Sequence, residues 1–429
     1  RTIVNDSEGT FKYKDTPTNI YNAAAYDDIL KNQDVEFSAA TNMFVLQRTK
    51  AVAKSLTYTD VSDRPAVTLS SASLWNDGKR SVVLKAGDAT VDQYEKLLVE
   101  VAKQSGSLAG GVSDSVTALT KGESAIVLTG ATKVVAKLAA NGSDKDLTSV
   151  ELDSVVTAID LNKQAAILDA SDLNNATITI NGGSYSVKDT SSKVAALTKT
   201  QVKDRAITIT NETNTADLKT IGTTNESGAI TYTKLTDAAA TVAANLGNIK
   251  AGVTVTLNTA ATGQELSDID TKVNAVAATL VAGSVTDTAA ELKKFKSLIR
   301  GKTVKLKTGE TASASDYDEI STEAVKTVGG TAGTFTGNVE DTVANLVSSK
   351  SLTLTGVETV TAKLKSDGSD KDLTGLVLHS KVDEIDLNGQ AATLDASHLA
   401  KSLATGGGTN YTIKDESSSI AGLAKSLVK

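Results

Sequence analysis

Apolar and polar positions alternate in short bursts along this chain, and longer stretches of helical spacing separate the bursts. Arg80–Gly87 (RSVVLKAG) and Lys302–Gly309 (KTVKLKTG) each read as a short strand closed by glycine. Val91–Lys103 (VDQYEKLLVEVAK) and Ala314–Val328 (ASDYDEISTEAVKTV) follow them with helical spacing, and a looser copy of the same order starts at Val253. Ala125–Thr129, Arg205–Thr210 and Ser351–Thr355 alternate and are rich in β-branched residues, which predicts three further strands. Val134–Ala140 and Val360–Lys365 read as helical. Near the start, Asn19–Leu30 and Glu36–Lys54 are also predicted helices, the second with Phe37, Met43, Phe44, Leu46 and Val52 as its apolar, core-facing side. Arg1–Tyr13 carries a short apolar patch, Ile3 and Val4, of the kind found in a terminal strand or a loosely held end. The repeating unit is thus a strand of about five residues and a helix of about eight to twelve, recurring every 25 to 30 residues or so.

The chain also repeats itself literally. Gly142–Ser171 returns as Gly368–Ser397. Gly142–Leu147 is identical to Gly368–Leu373, Ile159–Asn162 to Ile385–Asn388, and Leu168–Ser171 to Leu394–Ser397. Together these patterns predict an α/β fold: a solenoid-like array of short parallel strands alternating with helices, internally duplicated, with a helical N-terminal segment. The expected organisation is an atypical N-terminal segment over 1–60, a first long repeat unit over 61–204, a shorter intermediate repeat over 205–284 and a second long unit over 285–429. A doubly wound sheet would need longer, continuously apolar strands and a glycine-rich phosphate turn, and the sequence has neither.

An aliphatic residue, any residue, then aspartate punctuates the chain at Asp114, Asp189, Asp237, Asp287, Asp341 and Asp415. An aspartate at a strand exit accepts hydrogen bonds from free N–H groups at a helix start, so each is predicted to cap the helix that follows it. Asp160/Asn162 and Asp386/Asn388 lie between short strands and are expected to satisfy backbone groups inside the stack.

Composition narrows the chemistry. Hydrophobic residues make up 40% and aromatics 3%, with a single tryptophan, so the core must be built from Val, Leu, Ile and Ala. Small aliphatics suit thin, layered cores. With no cysteine, disulfides, thiolate metal sites and cysteine nucleophiles are excluded. The net charge of −7 and the lack of a basic cluster with interleaved aromatics speak against a nucleic-acid partner. No apolar run approaches the roughly 20 residues that span a bilayer. The chain opens on Arg1, which fits a trimmed fragment and a mature secreted chain equally. His379 and His398 have Asp153 and Asp172 at the corresponding places in the first copy, so no duplicated acid–base or metal site is implied and the histidines are expected to face solvent. Nucleophile-elbow, zinc-protease, Walker and EF-hand motifs are missing. The candidate ligand-binding positions are Asp144, Asp146, Asp370 and Asp372, in the two GSDKD turns. Carboxylates one residue apart in a Gly/Ser turn offer oxygens to Ca²⁺, although Lys145 and Lys371 oppose it and an ordinary solvated turn explains the same text.

The segments Val285–Leu292 (VTDTAAEL) and Val339–Leu346 (VEDTVANL), each followed by a strand rich in Thr and Val, resemble repeats of large bacterial secreted and surface proteins. These include repetitive adhesins, RTX-type exoproteins and surface-layer proteins. The resemblance covers roughly Val112 to Lys429. It implies a non-catalytic, extracellular role at the bacterial cell surface and self-assembly into a surface layer, matrix fibre or adhesin stalk. The implied partners are other copies of the chain and cell-envelope polysaccharide, often with calcium as cofactor. The G-G-x-G-x-D nonapeptide of RTX proteins is missing. The alternatives are a β-helical enzyme acting on polysaccharide, for which aromatics are scarce, and a phage tail-fibre or receptor-binding protein.

Overall fold

A computed structural model describes residues 2–5, 11–15, 34–37, 42–50, 55–57, 60–75, 81–84, 87–103, 105–122, 126–174, 178–404 and 410–423. The fold is mixed α/β, with many short strands in several sheets and no closed barrel among the described residues. It divides into two compact units. The first comprises Arg1–Thr210 with Ile221–Thr231, and the second Asn211–Thr220 with Tyr232–Lys429.

In the first unit a six-stranded sheet runs in the order Thr179–Asn181, Ala158–Asp160, Ala131–Lys137, Ser107–Ser115, Ser81–Leu84, Asp60–Asp63. Every neighbouring pair in it is parallel. A second parallel sheet is made of Ala165–Leu168, Ser184–Asp189, Ile207–Ile209 and Ile230–Thr231. Near the N-terminus Thr2–Asn5 pairs antiparallel with Phe11–Asp15, which then continues in parallel to Asp34–Phe37 and Ser55–Thr57. In the second unit, Lys234–Asp237, Thr254–Leu257 and Thr279–Ala282 form one parallel sheet. Ser284–Asp287, Thr303–Leu306, Thr334–Thr342, Val357–Lys363, Glu384–Asp386 and Ser402–Ala404 form the longest path of another.

Parallel neighbours need a crossover, and successive strands here pair in parallel register. Register therefore places like residues side by side. Val285, Val304 and Phe335 form one row, and Leu235, Val255 and Leu280 another. Val285, Val304, Leu235 and Val255 are fully buried. Such rows account for a core made almost entirely of aliphatics. Two aromatics anchor it. Tyr94, on the helix Val91–Ala102, and Tyr317, on Ala314–Ala324, are both fully buried. The Tyr94 hydroxyl donates to the Thr129 carbonyl (3.2 Å), and the Tyr317 hydroxyl to the Thr355 carbonyl (3.1 Å).

Several expectations need correction. Val134–Ala140 and Val360–Lys365 are not helical: Ala131–Lys137 and Val357–Lys363 are strands with parallel partners on both sides. Their Val and Thr residues fit the sheet better than a helix, and apolar residues buried on both faces blur the period. Conversely, Ile126–Leu128 and Ser351–Leu354 join no ladder. Side chains take some of the backbone groups in and beside them, and local turns take others. Ile126 N–H donates to Asp153 and Thr353 N–H to Asp318, and the tyrosines bind the carbonyls of Thr129 and Thr355. Of the predicted helix over Glu36–Lys54, Met43–Lys50 is helical, residues 38–41 and 51–54 lie outside the described residues, and Asp34–Phe37 is a strand, so the N-terminal segment is not simply helical. Phe37 and Leu46 are buried there, while Phe44 is exposed. Asn19–Leu30 lies outside the described residues.

Candidate functional site

The punctuating aspartates are the most regular feature of the molecule. Each accepts from the N–H of the residue after it, and its second oxygen reaches the start of a helix 19 to 27 residues earlier. Asp114 takes the N–H of Val91, Asp189 that of Ala170, Asp237 that of Thr215, Asp287 that of Gly263, Asp341 that of Ala314 and Asp415 that of Ala396, all at 2.9–3.1 Å. The expectation that they cap the following helix is corrected accordingly: each one ties its own segment to the start of an earlier helix. Within a helix, the cap comes from Thr90, Thr262, Thr288 or Ser313.

Asn162 and Asn388 behave as expected. Both have positive φ, and their side-chain amides donate to the carbonyls of Leu138 (2.9 Å) and Leu364 (2.8 Å), 24 residues earlier. Gln164 and Gln390 do the same to Ala140 and Ser366.

The four calcium candidates lie in matching turns and are engaged locally. Asp144 accepts from Ala139 N–H, and Asp370 from Lys365 N–H. Asp146 and Asp372 each accept from the backbone and hydroxyl of the threonine two residues on, Thr148 and Thr374. Those bonds, chiefly the hydroxyl's, hold the carboxyls of Asp146 and Asp372 below the ordinary range. Asp370 Oδ2 is buried without a hydrogen-bond partner. Among the described residues no three His, Asp or Glu side chains come together as a metal cluster would require.

His398 was expected to face solvent, and it does not; Asp172, at the corresponding position, is buried too. His398 is 3% exposed. Its Nδ1 accepts from Asp395 N–H (3.1 Å), and its Nε2 lies 3.0 Å from the Leu376 carbonyl, so Nε2 is the protonated nitrogen and donates. His379 is half-exposed and accepts from Lys381 N–H. Asp153 and Asp172 are each 5% exposed. Asp153 is fully used, accepting from Ile126 and Val155 N–H. Asp172, on the short helix Ala170–Asn174, has an Oδ2 with no partner. Burial, aided by the Asp169 charge, pushes its carboxyl up from 3.8 to about 7.

Asp172 lines a cleft of about 840 Å³ in the first unit, together with Lys121, the strip Thr148–Ser154, Asp169 and Ile178. Lys121 and Glu151 pair at its rim (2.6 Å), and the Glu151 bond raises the lysine's pKa. The cleft holds hydroxyls, carboxylates and one ammonium. Among the described residues its lining includes no histidine and no aromatic side chain, and the Thr148 hydroxyl in it donates to the Asp146 carboxylate (2.7 Å). Such a lining can hold and orient a polar ligand. The signal that could have found it was the Asp172/His398 exchange inside otherwise repeated text. The chain matches no protein-family model and no curated protein sequence.

Proposed function

We propose that this chain is an extracellular structural protein of a bacterial cell surface, in which each unit is a solenoid of stacked turns and the two copies of the repeated text are a structural duplication. Copies of the chain associate into a layer, fibre or adhesin stalk and hold cell-envelope polysaccharide. The observation that carries the reading is the six-fold recurrence of one aspartate that ties each turn of chain to the turn before it. Such a device extends a stack and serves no reaction. Parallel stacking also leaves edges on outer strands, such as Thr279–Ala282, and open edges favour association with further copies.

Calcium belongs to this proposal at the paired turns, where Asp144, Asp146, Asp370 and Asp372 keep lone pairs beyond those given to their own backbone. The test is sedimentation and electron microscopy of the purified chain at high concentration, with and without calcium. Ordered assemblies are expected; a monomer under every condition overturns the reading. If Tm and assembly are unchanged by calcium, calcium drops out of it.

A further inference from the structure

We propose that the cleft beside Asp172 binds an amino sugar, with the ligand's ammonium held between the Asp172 carboxylate and the Val150 carbonyl. The second copy of the repeat supplies the template. There the ring of His398 bridges to the carbonyl of Leu376 by donating a proton from Nε2. In the first copy Val150 stands where Leu376 does, and Asp172 where His398 does, and both line the cleft. The bridge has lost its donor. What remains is a buried carboxylate oxygen without a partner, in a cleft whose lining includes the matching carbonyl's residue. A buried acceptor of this kind is costly unless something donates to it.

The surroundings set the ligand's chemistry. Four carboxylates (Glu151, Asp153, Asp169 and Asp172) face one ammonium, Lys121. Glu151 is spent on Lys121, Asp153 on two backbone N–H groups, and one oxygen of Asp169 on the Asp172 N–H. Of the four, only Asp172 buries an oxygen that has no partner, which makes it the acceptor for a cation. The hydroxyls of Thr148, Ser149 and Ser154 along the cleft suit a ligand that is itself rich in hydroxyls. Cation and polyol together describe a hexosamine with a free amine. The inference deepens the polysaccharide part of the proposed function and does not depend on self-assembly, which sedimentation reads separately.

The experiment is calorimetric titration of the full chain with glucosamine, N-acetylglucosamine and glucose at a pH where the amine stays protonated. Glucosamine should bind saturably, and the two neutral sugars at least about tenfold more weakly, because each lacks the charged donor. Asp172→Asn should weaken glucosamine by a similar factor. Asp172→His should abolish binding by restoring the bridge of the second copy, which also shows that the histidine fits this backbone. Affinity should pass through a maximum near neutral pH, since below it the Asp172 carboxyl is protonated and above it the sugar's amine loses its charge. Equal binding of glucosamine and glucose, no binding of any of the three, wild-type affinity in Asp172→His, or a flat pH profile would each overturn the assignment.

Discussion

Thr213 shows how finely a single side chain is tuned in this core. It is 2% exposed, its N–H donates to the Lys234 carbonyl, and its own carbonyl accepts from Thr236, yet its hydroxyl has no partner. Burying a hydroxyl without a hydrogen bond costs free energy that a methyl group of the same shape does not. Thr213→Val should therefore stabilise the chain by about 1 kcal/mol, read as a higher urea midpoint with an unchanged slope. A loss of stability would mean that the hydroxyl is bonded after all. The residue scale is also where sequence reading runs out. Asp172 and Thr213 look like any other Asp and Thr in a chain full of both. Their meaning lies in a burial that depends on residues one turn away.

Among the elements, the stitching aspartates are the clearest case of partial legibility. Their recurrence at strand exits was visible in the sequence, as was their role as acceptors for helix N–H groups. The direction of the bond was not, because nothing local tells Asp287 to reach back to Gly263 at 2.9 Å while keeping Thr288 at 2.8 Å. Helices and strands were confused for a related reason. Val134–Ala136 is buried as a continuous run between two parallel neighbours, so it shows neither period two nor a helical face. Glycine positions tell the same story. A Cβ on Gly110 would lie 2.6 Å from the Leu84 Cβ on the neighbouring strand, and one on Gly337 2.7 Å from Leu306 Cδ1; both sit where the ladder changes register. Removing one stitch gives a direct test. Asp287→Ala strands two N–H groups and should cost about 1–2 kcal/mol, while Asp287→Asn keeps one acceptor and should cost less. Urea midpoints of the two variants decide it. Equal, negligible losses would show that Thr262 and Thr288, which cap the same helices from within, suffice alone.

Over the whole molecule these carboxylates give stability a particular dependence on pH. Asp172 has a folded pKa raised from 3.8 to about 7 by burial. Between those values the folded chain binds more protons than the unfolded chain, so this group makes stability fall as pH rises from about 4 to about 7. The opposite sign belongs to carboxylates held below their ordinary range. These include Asp146 and Asp372 through their threonine bonds, Asp415 through two backbone N–H bonds, and Asp316, Glu319 and Glu323 through bonds to lysine and arginine. Their stabilisation is complete above the unfolded pKa, near 4, and is lost as pH falls through the folded values. Each contribution is small because these groups are largely solvated, but they share one direction. Thermal melts across pH should therefore peak in mild acid, near about pH 4 to 5, with a steep acid limb and a shallower decline toward neutrality. Asp172→Asn should flatten the decline on the alkaline side and leave the acid limb in place. If that variant melts in parallel with the natural chain from pH 4 to 8 or so, the Asp172 carboxyl is charged throughout, and a donor within the chain already satisfies it.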